Sequence, residues 1–294
     1  MNFMKQIGIT LKPNSYTPEA YAYEKYLSKH GWQVQLDYEL DPNNDVNIYF
    51  MGMRPFWQKK QGGAIEIHEY QSLSTPPYAK IKNYFKKTIN SKPSGRIFLN
   101  NIVHKNLPFN DNIPYIYRDM GVDEAFFQMP NKQPDFDILY SGSVQGRIGL
   151  VEILLNLSKS YKVIVIGNIA EELRPIFKQA NITLTGRVER QYLPELYRNA
   201  RYGLNYTPDI YPYNIQTSTK TLEYLASGLQ VISNKYQWAE QFFREKNYSP
   251  IWLERKLNLV DYAVTSCNMN EYSWSNILNQ SNLLGFLMSA YNEN

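Results

Sequence analysis

The chain has 294 residues, 43% of them hydrophobic and 20% charged, with 31 Lys+Arg against 27 Asp+Glu and a formal net charge of +4. This is globular composition, and it excludes a disordered or fibrous chain; so small a positive excess makes no case for nucleic acid. A single cysteine, Cys267, excludes an internal disulfide, and three histidines (His30, His68, His104) leave little scope for a zinc centre. The amino-terminal residues lack the apolar core of a signal peptide, and no stretch nears the roughly 20 apolar residues of a membrane span. A cytoplasmic protein of two domains is expected at this length.

In chain order, strands are predicted over 6–11, 32–40, 46–51, 64–68, 96–99 and 115–118, with helices over 18–30 and 78–89. Pro18 opens the first helix and Gly31 ends it. A polar, Pro-containing stretch, 130–134, places the hinge within 129–135. Beyond it the alternation is cleaner. Strands are expected over 136–140, 162–166, 182–184, 202–205 and 230–233, and helices over 148–157, 171–179, 193–199 and 218–226. A last helix follows Tyr272-Ser-Trp274 and runs to about Tyr291, with Ile277, Leu284, Leu287 and Met288 as its buried stripe. The pattern predicts an α/β protein of two Rossmann-like domains, 1–130 (plus 275–294) and 131–274, with a small-molecule site in a cleft between them.

Two segments of the second half carry chemistry. Thr217-Ser-Thr-Lys-Thr-Leu-Glu-Tyr-Leu-Ala-Ser-Gly228 opens a helix on small hydroxyl residues, and such an end suits a diphosphate through its outward N–H groups and dipole. Lys220 can meet phosphate charge and Glu223 the hydroxyls of a ribose; the plainer reading is a capped surface helix with an i,i+3 ion pair. Tyr140-Ser-Gly-Ser-Val-Gln-Gly-Arg-Ile-Gly149 leaves a strand for a helix. Its glycines permit close backbone approach, and Arg147 can clamp a pyrophosphate or simply be a solvated side chain. The segment matches neither a full G-x-G-x-x-G nor a P-loop.

These residues resemble the nucleotide-binding domain of GT-B glycosyltransferases, particularly the family 4 type. Four stretches carry the likeness in the family's order: the 140–150 loop, Gly186-Arg-Val-Glu before Leu193-Pro-Glu-Leu-Tyr-Arg-Asn-Ala, the Ser218–Gly228 helix followed by Val-Ile, and the stretch from Tyr272. The likeness covers about 135–290, and the first domain by layout alone. It implies a GT-B fold in which two Rossmann-like domains face each other across a cleft and a terminal helix crosses back to the first. It implies that Glu223 holds the ribose of a UDP- or GDP-sugar, and that Arg147 and Lys220 hold its diphosphate with help from Gly142, Ser143, Ser218 and Thr219. Val188 would lie against the base. One departure stands out: the family's Glu-x7-Glu has Ile215 here in place of its first acid, and Asn214-Ile-Gln-Thr-Ser-Thr219 replaces its Gly-rich loop.

In the first domain, His68 of Glu66-Ile-His-Glu-Tyr70 resembles the family histidine near the donor sugar, and a structural histidine is the alternative. Glu69 is a candidate base for the acceptor hydroxyl if its carboxylate faces the cleft, and the loop Thr10–Tyr16 should face it too. Asp135-Phe-Asp137 enters a strand instead of following one, so neither a metal site nor a cofactor is expected. Around 78–89, Ile81, Phe85 and Ile89 recur at helical spacing among Lys80, Lys82, Lys86 and Lys87, with Phe56-Trp-Gln-Lys-Lys60 nearby. The first reading is a core-facing helix with a solvated basic face; the second is peripheral contact with anionic lipid. The expected activity is retaining transfer of a sugar to a glycan or lipid-linked acceptor of a bacterial envelope polymer. An epimerase of similar fold and an inactive nucleotide-sugar-binding partner are the rivals. A dehydrogenase lacks its dinucleotide fingerprint in either half.

Overall fold

A computed structural model describes residues 5–12, 17–50, 54–58, 62–253, 257–259 and 265–292. The chain divides into two compact units, Met1–Gly121 with Ser273–Asn294, and Val122–Tyr272.

The first unit carries one parallel sheet of β1 (Lys5–Thr10), β2 (Trp32–Asp37), β3 (Val46–Phe50), β4 (Ile65–Tyr70), β5 (Gly95–Phe98) and β6 (Tyr115–Tyr117), in the order β2-β1-β3-β4-β5-β6. Ile7, Ile9, Ile48, Ile67 and Ile97 are buried along it because helices cover a parallel sheet on both faces. Helix α1 (Pro18–Lys29) starts on its proline and is followed by Gly31 at φ +80°, a left-handed stop that suits glycine. Helix α2 (Ala79–Ile89) begins one residue later than its pattern suggests, since Tyr78 is left-handed at φ 62°. A short helix, α3 (Asn101–Asn106), capped by the Asn100 side chain on the Val103 amide, has no counterpart among the expected elements.

The second unit is built on β7 (Phe136–Ser141), β8 (Val163–Ile166), β9 (Thr183–Gly186), β10 (Ala200–Asn205), β11 (Gln230–Ser233) and β12 (Ile251–Trp252). They are all parallel, in the order β12-β11-β10-β7-β8-β9, the doubly wound order of dinucleotide-binding sheets. Helices α4 (Leu150–Leu157), α5 (Arg174–Gln179), α6 (Leu193–Arg198), α7 (Thr219–Ala226) and α8 (Gln237–Glu245) connect them. Gly203 is required on β10 because a Cβ there would fall 2.3 Å from the Tyr224 ring of α7.

Three expectations are corrected. The unit boundary falls at Gly121–Val122, upstream of 129–135, because the intervening turn packs on the second unit. The Phe126 ring meets Tyr197 edge-on, and its carbonyl accepts from Ser227. The terminal helix is two helices, α9 (Trp274–Gln280) and α10 (Leu283–Asn292), broken at left-handed Asn282. That break shifts the buried stripe to Trp274, Ile277, Leu278, Leu283, Phe286 and Leu287, leaving Leu284 and Met288 half-buried. These helices belong to the first unit, where Tyr26 donates to Asn279 and Phe286 packs over Gly95. Finally, α2 buries only Ala79 and Asn83; Ile81 and Phe85 face solvent instead of a core.

Candidate functional site

The order of the second sheet reverses between β7 and β10, so the loops leaving those two strands flank the crevice where doubly wound folds bind ligands. Both expected segments arrive there. After β7 the chain turns through Gly142 at φ +129° and Gly149 at φ +86° before α4, backbone that glycine adopts freely. Gly167, after β8, lies against this turn: a Cβ on it would sit 2.5 Å from the Gly142 carbonyl oxygen.

Helix α7 begins at the same edge. Its cap, Ser218, accepts from the Thr221 amide and hydroxyl and donates to Asn205 at the end of β10. In the first turn, Lys220 reaches across to β7, with Nζ 3.4 Å from the Tyr140 hydroxyl, 4.6 Å from that ring's centre and 3.5 Å from where a Cβ on Gly142 would be. Arg147 is fixed by donating to the Tyr206 carbonyl at 2.9 Å, and the Tyr206 hydroxyl donates in turn to the Ile148 carbonyl at 2.7 Å. Two cations therefore converge on Tyr140. Burial first, and then the Arg147 charge, drive the Lys220 ammonium well below the ordinary lysine value, against an opposing pull from Glu223. Burial pushes the Tyr140 phenol up to about 12, opposed by Arg147. Like charges held together this way favour a dianionic occupant.

Glu223 is placed differently from a solvent-facing ribose acceptor. It is 5% exposed; Oε2 accepts from Tyr197 at 3.1 Å, and Oε1 lies 2.7 Å from Arg190, whose guanidinium stacks over Phe126. A carboxylate has about four acceptor positions, so contact with a ribose means sharing or displacing Arg190. Ser143 is exposed and Gly142 half-buried on the β7 turn. Val188 is half-buried in the turn between β9 and Arg190, and Thr219 opens α7. Sequence reasoning did not single out Tyr206 or Arg190. Both act through contacts to residues distant in the chain, which no local pattern announces.

In the first unit, Glu69 does not face solvent. It is fully buried and paired with Arg118, and Tyr23 links them by accepting from Arg118 at 3.0 Å and donating to Glu69 at 2.8 Å. The expectation of a base with an outward carboxylate is corrected on that ground. His68 is also fully buried on β4. Neither ring nitrogen has a hydrogen-bond partner among the described residues, and Glu66 stands 3.6 Å away. Burial holds the imidazole below its ordinary pKa, with Arg54 and Arg96 adding to the effect and Glu66 opposing it. Glu66 is itself lowered to about 2; burial opposes the shift, and His68 and the forked ion pair with Arg54 produce it. Asp135 and Asp137 lie at the amino end of β7, engaged by the Asn199 side chain and the Lys162 amide. Part of the Thr10–Tyr16 loop (13–16) and Lys59 and Lys60 lie outside the described residues.

Residues 147–270, which include Arg147, α7 and Glu223, match the family model described as "Glycosyl transferase-like". This segment is similar to glycosyl transferase-like domains. Solved structures of like fold span nearly the whole chain. AviGT4, a glycosyltransferase involved in avilamycin A biosynthesis, is 12% identical over 99% of both chains, with TM-score 0.65. WaaG, a glycosyltransferase involved in lipopolysaccharide biosynthesis, is 13% identical over 97% of this chain and 94% of its own, with TM-score 0.58. HepE of Anabaena, in complex with UDP and glucose, is 10% identical over 98% and 92%, with TM-score 0.53. The fold is GT-B. No curated protein sequence matches the chain. No described helix is long and apolar enough to cross a membrane.

Proposed function

We propose that the protein transfers a sugar from a UDP- or GDP-sugar to an acceptor hydroxyl. The observation that carries this reading is the convergence of Arg147 and Lys220 on Tyr140 at the switch point of a sheet with dinucleotide-binding order. As the bond from the sugar's anomeric carbon to phosphate oxygen breaks, negative charge grows on the departing diphosphate. Two fixed cations and the amides at the start of α7 would stabilise that charge in place, the preorganised electrostatics that dominates much of catalysis. In this reading they meet the leaving-group charge without a bound metal. Glu223 takes the ribose once Arg190 shares or yields its carboxylate, Val188 lies against the base, and Gly142, Ser143, Ser218 and Thr219 contact the phosphates. Retention of configuration is part of the reading, supported by the likeness of 218–228 to the family helix. The first unit takes the acceptor. A glycan or lipid-linked saccharide of a bacterial envelope polymer is the acceptor class, consistent with the role of WaaG in lipopolysaccharide biosynthesis.

A second reading, an inactive nucleotide-sugar-binding partner, is favoured by Ile215 in place of an acid and by the closure of Glu223 onto Arg190. A two-step experiment separates them. Thermal unfolding with UDP, GDP, CMP and their sugars should show one nucleotide stabilising the protein, by about 2.7 kcal/mol at 100 times its dissociation constant. NMR of that donor with a panel of saccharide acceptors should then show transfer. Binding without turnover supports the second reading, epimerised donor without acceptor an epimerase, and no response to any nucleotide contradicts all three.

A further inference from the structure

A group of exposed apolar and aromatic side chains lies in the first unit, far in sequence from the nucleotide-binding segments. Helix α2 contains no acidic residue, and its only buried side chains are Ala79 and Asn83, the latter held by accepting the Ser74 amide at 2.9 Å. Outward from it stand Ile81, Tyr84 and Phe85 at 53%, 63% and 49% exposure, with Tyr78 at 74% just before it. Phe56 and Trp57, packed edge-to-face, are similarly exposed. They adjoin the carboxyl end of the same helix: the Phe56 amide donates to the Ile89 carbonyl at 2.9 Å, and Pro55 bridges antiparallel to Asn90. Eleven helical residues span about 16 Å, so a strip of apolar and aromatic side chains runs along the helix and past its end.

The sequence around this helix is rich in positive charge. Residues 51–110 hold ten Lys and Arg against two acids, Glu66 and Glu69, and both acids are buried in ion pairs with Arg54 and Arg118. That is +8 in 60 residues where the whole chain carries +4, so the remainder sums to −4. Lys86 feels the crowding: burial lowers its ammonium pKa first, and Lys12 and Lys82 lower it further. Monomeric proteins rarely leave a contiguous apolar strip in water, and aromatic side chains ringed by lysine suit the boundary between headgroups and acyl chains.

We propose that α2 and the Phe56–Trp57 turn form a docking surface for an anionic lipid bilayer. Ile81, Tyr84, Phe85, Phe56 and Trp57 enter the headgroup boundary while Lys80, Lys82 and Lys87 meet the anionic headgroups. The inference goes beyond the transfer reading and does not rest on it. It would hold the protein at a membrane face through a surface helix and turn.

Co-sedimentation with vesicles of phosphatidylcholine, alone or mixed with phosphatidylglycerol, tests it. The wild-type protein should pellet with the mixed vesicles only and be released by salt. Phe56→Ser/Trp57→Ser and Ile81→Ser/Phe85→Ser should each lower the partition coefficient by about ten-fold or more, and Lys80→Glu/Lys82→Glu should do the same. All six residues lie on the exposed surface, so thermal unfolding and nucleotide binding of these variants should stay at wild-type values. The proposal is overturned if wild type stays in the supernatant with anionic vesicles, if it pellets equally with neutral ones, or if the apolar variants pellet like wild type. Retention of wild type by an immobilised acidic polypeptide, without vesicle binding, would assign the surface to a protein partner instead.

Discussion

The charged cluster on β4 in the first unit and the one at the β7–α7 edge in the second are built in opposite ways. In the first, Arg118 is fully buried against Glu69 and Tyr23, and Arg54 forks onto Glu66, so each positive charge is met by a negative one. In the second, Lys220 and Arg147 stand beside the same tyrosine, and the nearby acid, Glu223, is engaged by Arg190. Charges that neutralise one another hold a fold in register and offer no net charge to an ionic ligand. Like charges held together raise the energy of the empty protein, and an anion recovers that energy on binding. By this contrast the Arg118–Glu69 pair of the first unit reads as structural, and the cation pair of the second is the site we propose.

The largest expected effect lies in the first unit. Glu69→Gln leaves Arg118 buried without its counter-charge and should cost about 3–5 kcal/mol of unfolding free energy in urea titration. Adding Arg118→Met should recover part of that loss. A loss below about 1 kcal/mol would restore Glu69 as a candidate base.

Next is Lys220→Met. A lysine whose folded pKa lies below its unfolded value costs stability while both states are charged, and that cost fades as pH rises toward the ordinary value near 10.5. The variant should therefore be more stable than wild type at neutral pH and should lose the rise in stability toward high pH. It should also bind the nucleotide about 10- to 100-fold more weakly, the range for a charge-assisted hydrogen bond of about 1.5–3 kcal/mol. In wild type, nucleotide affinity should fall as pH rises through the lowered Lys220 pKa, because the ammonium is the form that binds.

A smaller effect sharpens the contrast from the other side. With its folded pKa below 6.5, His68 stays neutral in the fold while the unfolded chain takes up a proton. Stability should fall as pH drops below about 6.5, by at most about 1.4 kcal/mol per pH unit, until the folded imidazole titrates too. His68→Gln should remove that slope. The separate loss from Glu66 sets in lower, between its ordinary value of 4.5 and about 2. An unchanged slope in His68→Gln would mean that the histidine is not the buried neutral group described.

Much of this was legible in the sequence because buried parallel strands read as short apolar runs, such as Val163–Ile166, and because the Ser218–Gly228 helix concentrates its chemistry in consecutive residues. The convergence of Arg147 with Lys220 was likewise inferable, since both segments leave the same sheet edge. Other features were not. The amphipathic pattern of α2 shows that one face differs from the other, but not which face meets the core; Asn83 anchors it while Ile81 and Phe85 stay outside. Strand β12 has two residues, too few for a period, and α3 has six. Helix α8 was missed, although Trp238, Ala239, Phe242 and Phe243 return at i, i+1, i+4 and i+5, the spacing of a buried helix face. The pairing of Glu69 with Arg118 joins residues 49 apart, and that of Glu223 with Arg190 crosses between elements; only the fold brings them together.

The measurement that bears most directly on the account is isothermal calorimetry of nucleoside diphosphates with wild type, Arg147→Met and the Arg147→Met/Lys220→Met pair, with unfolding followed in parallel. The account predicts saturable binding of UDP or GDP to wild type, weaker binding to the single variant, and none detectable for the double variant, which remains folded. Equal affinity in all three proteins, or a folded wild type that binds neither nucleotide, would contradict it.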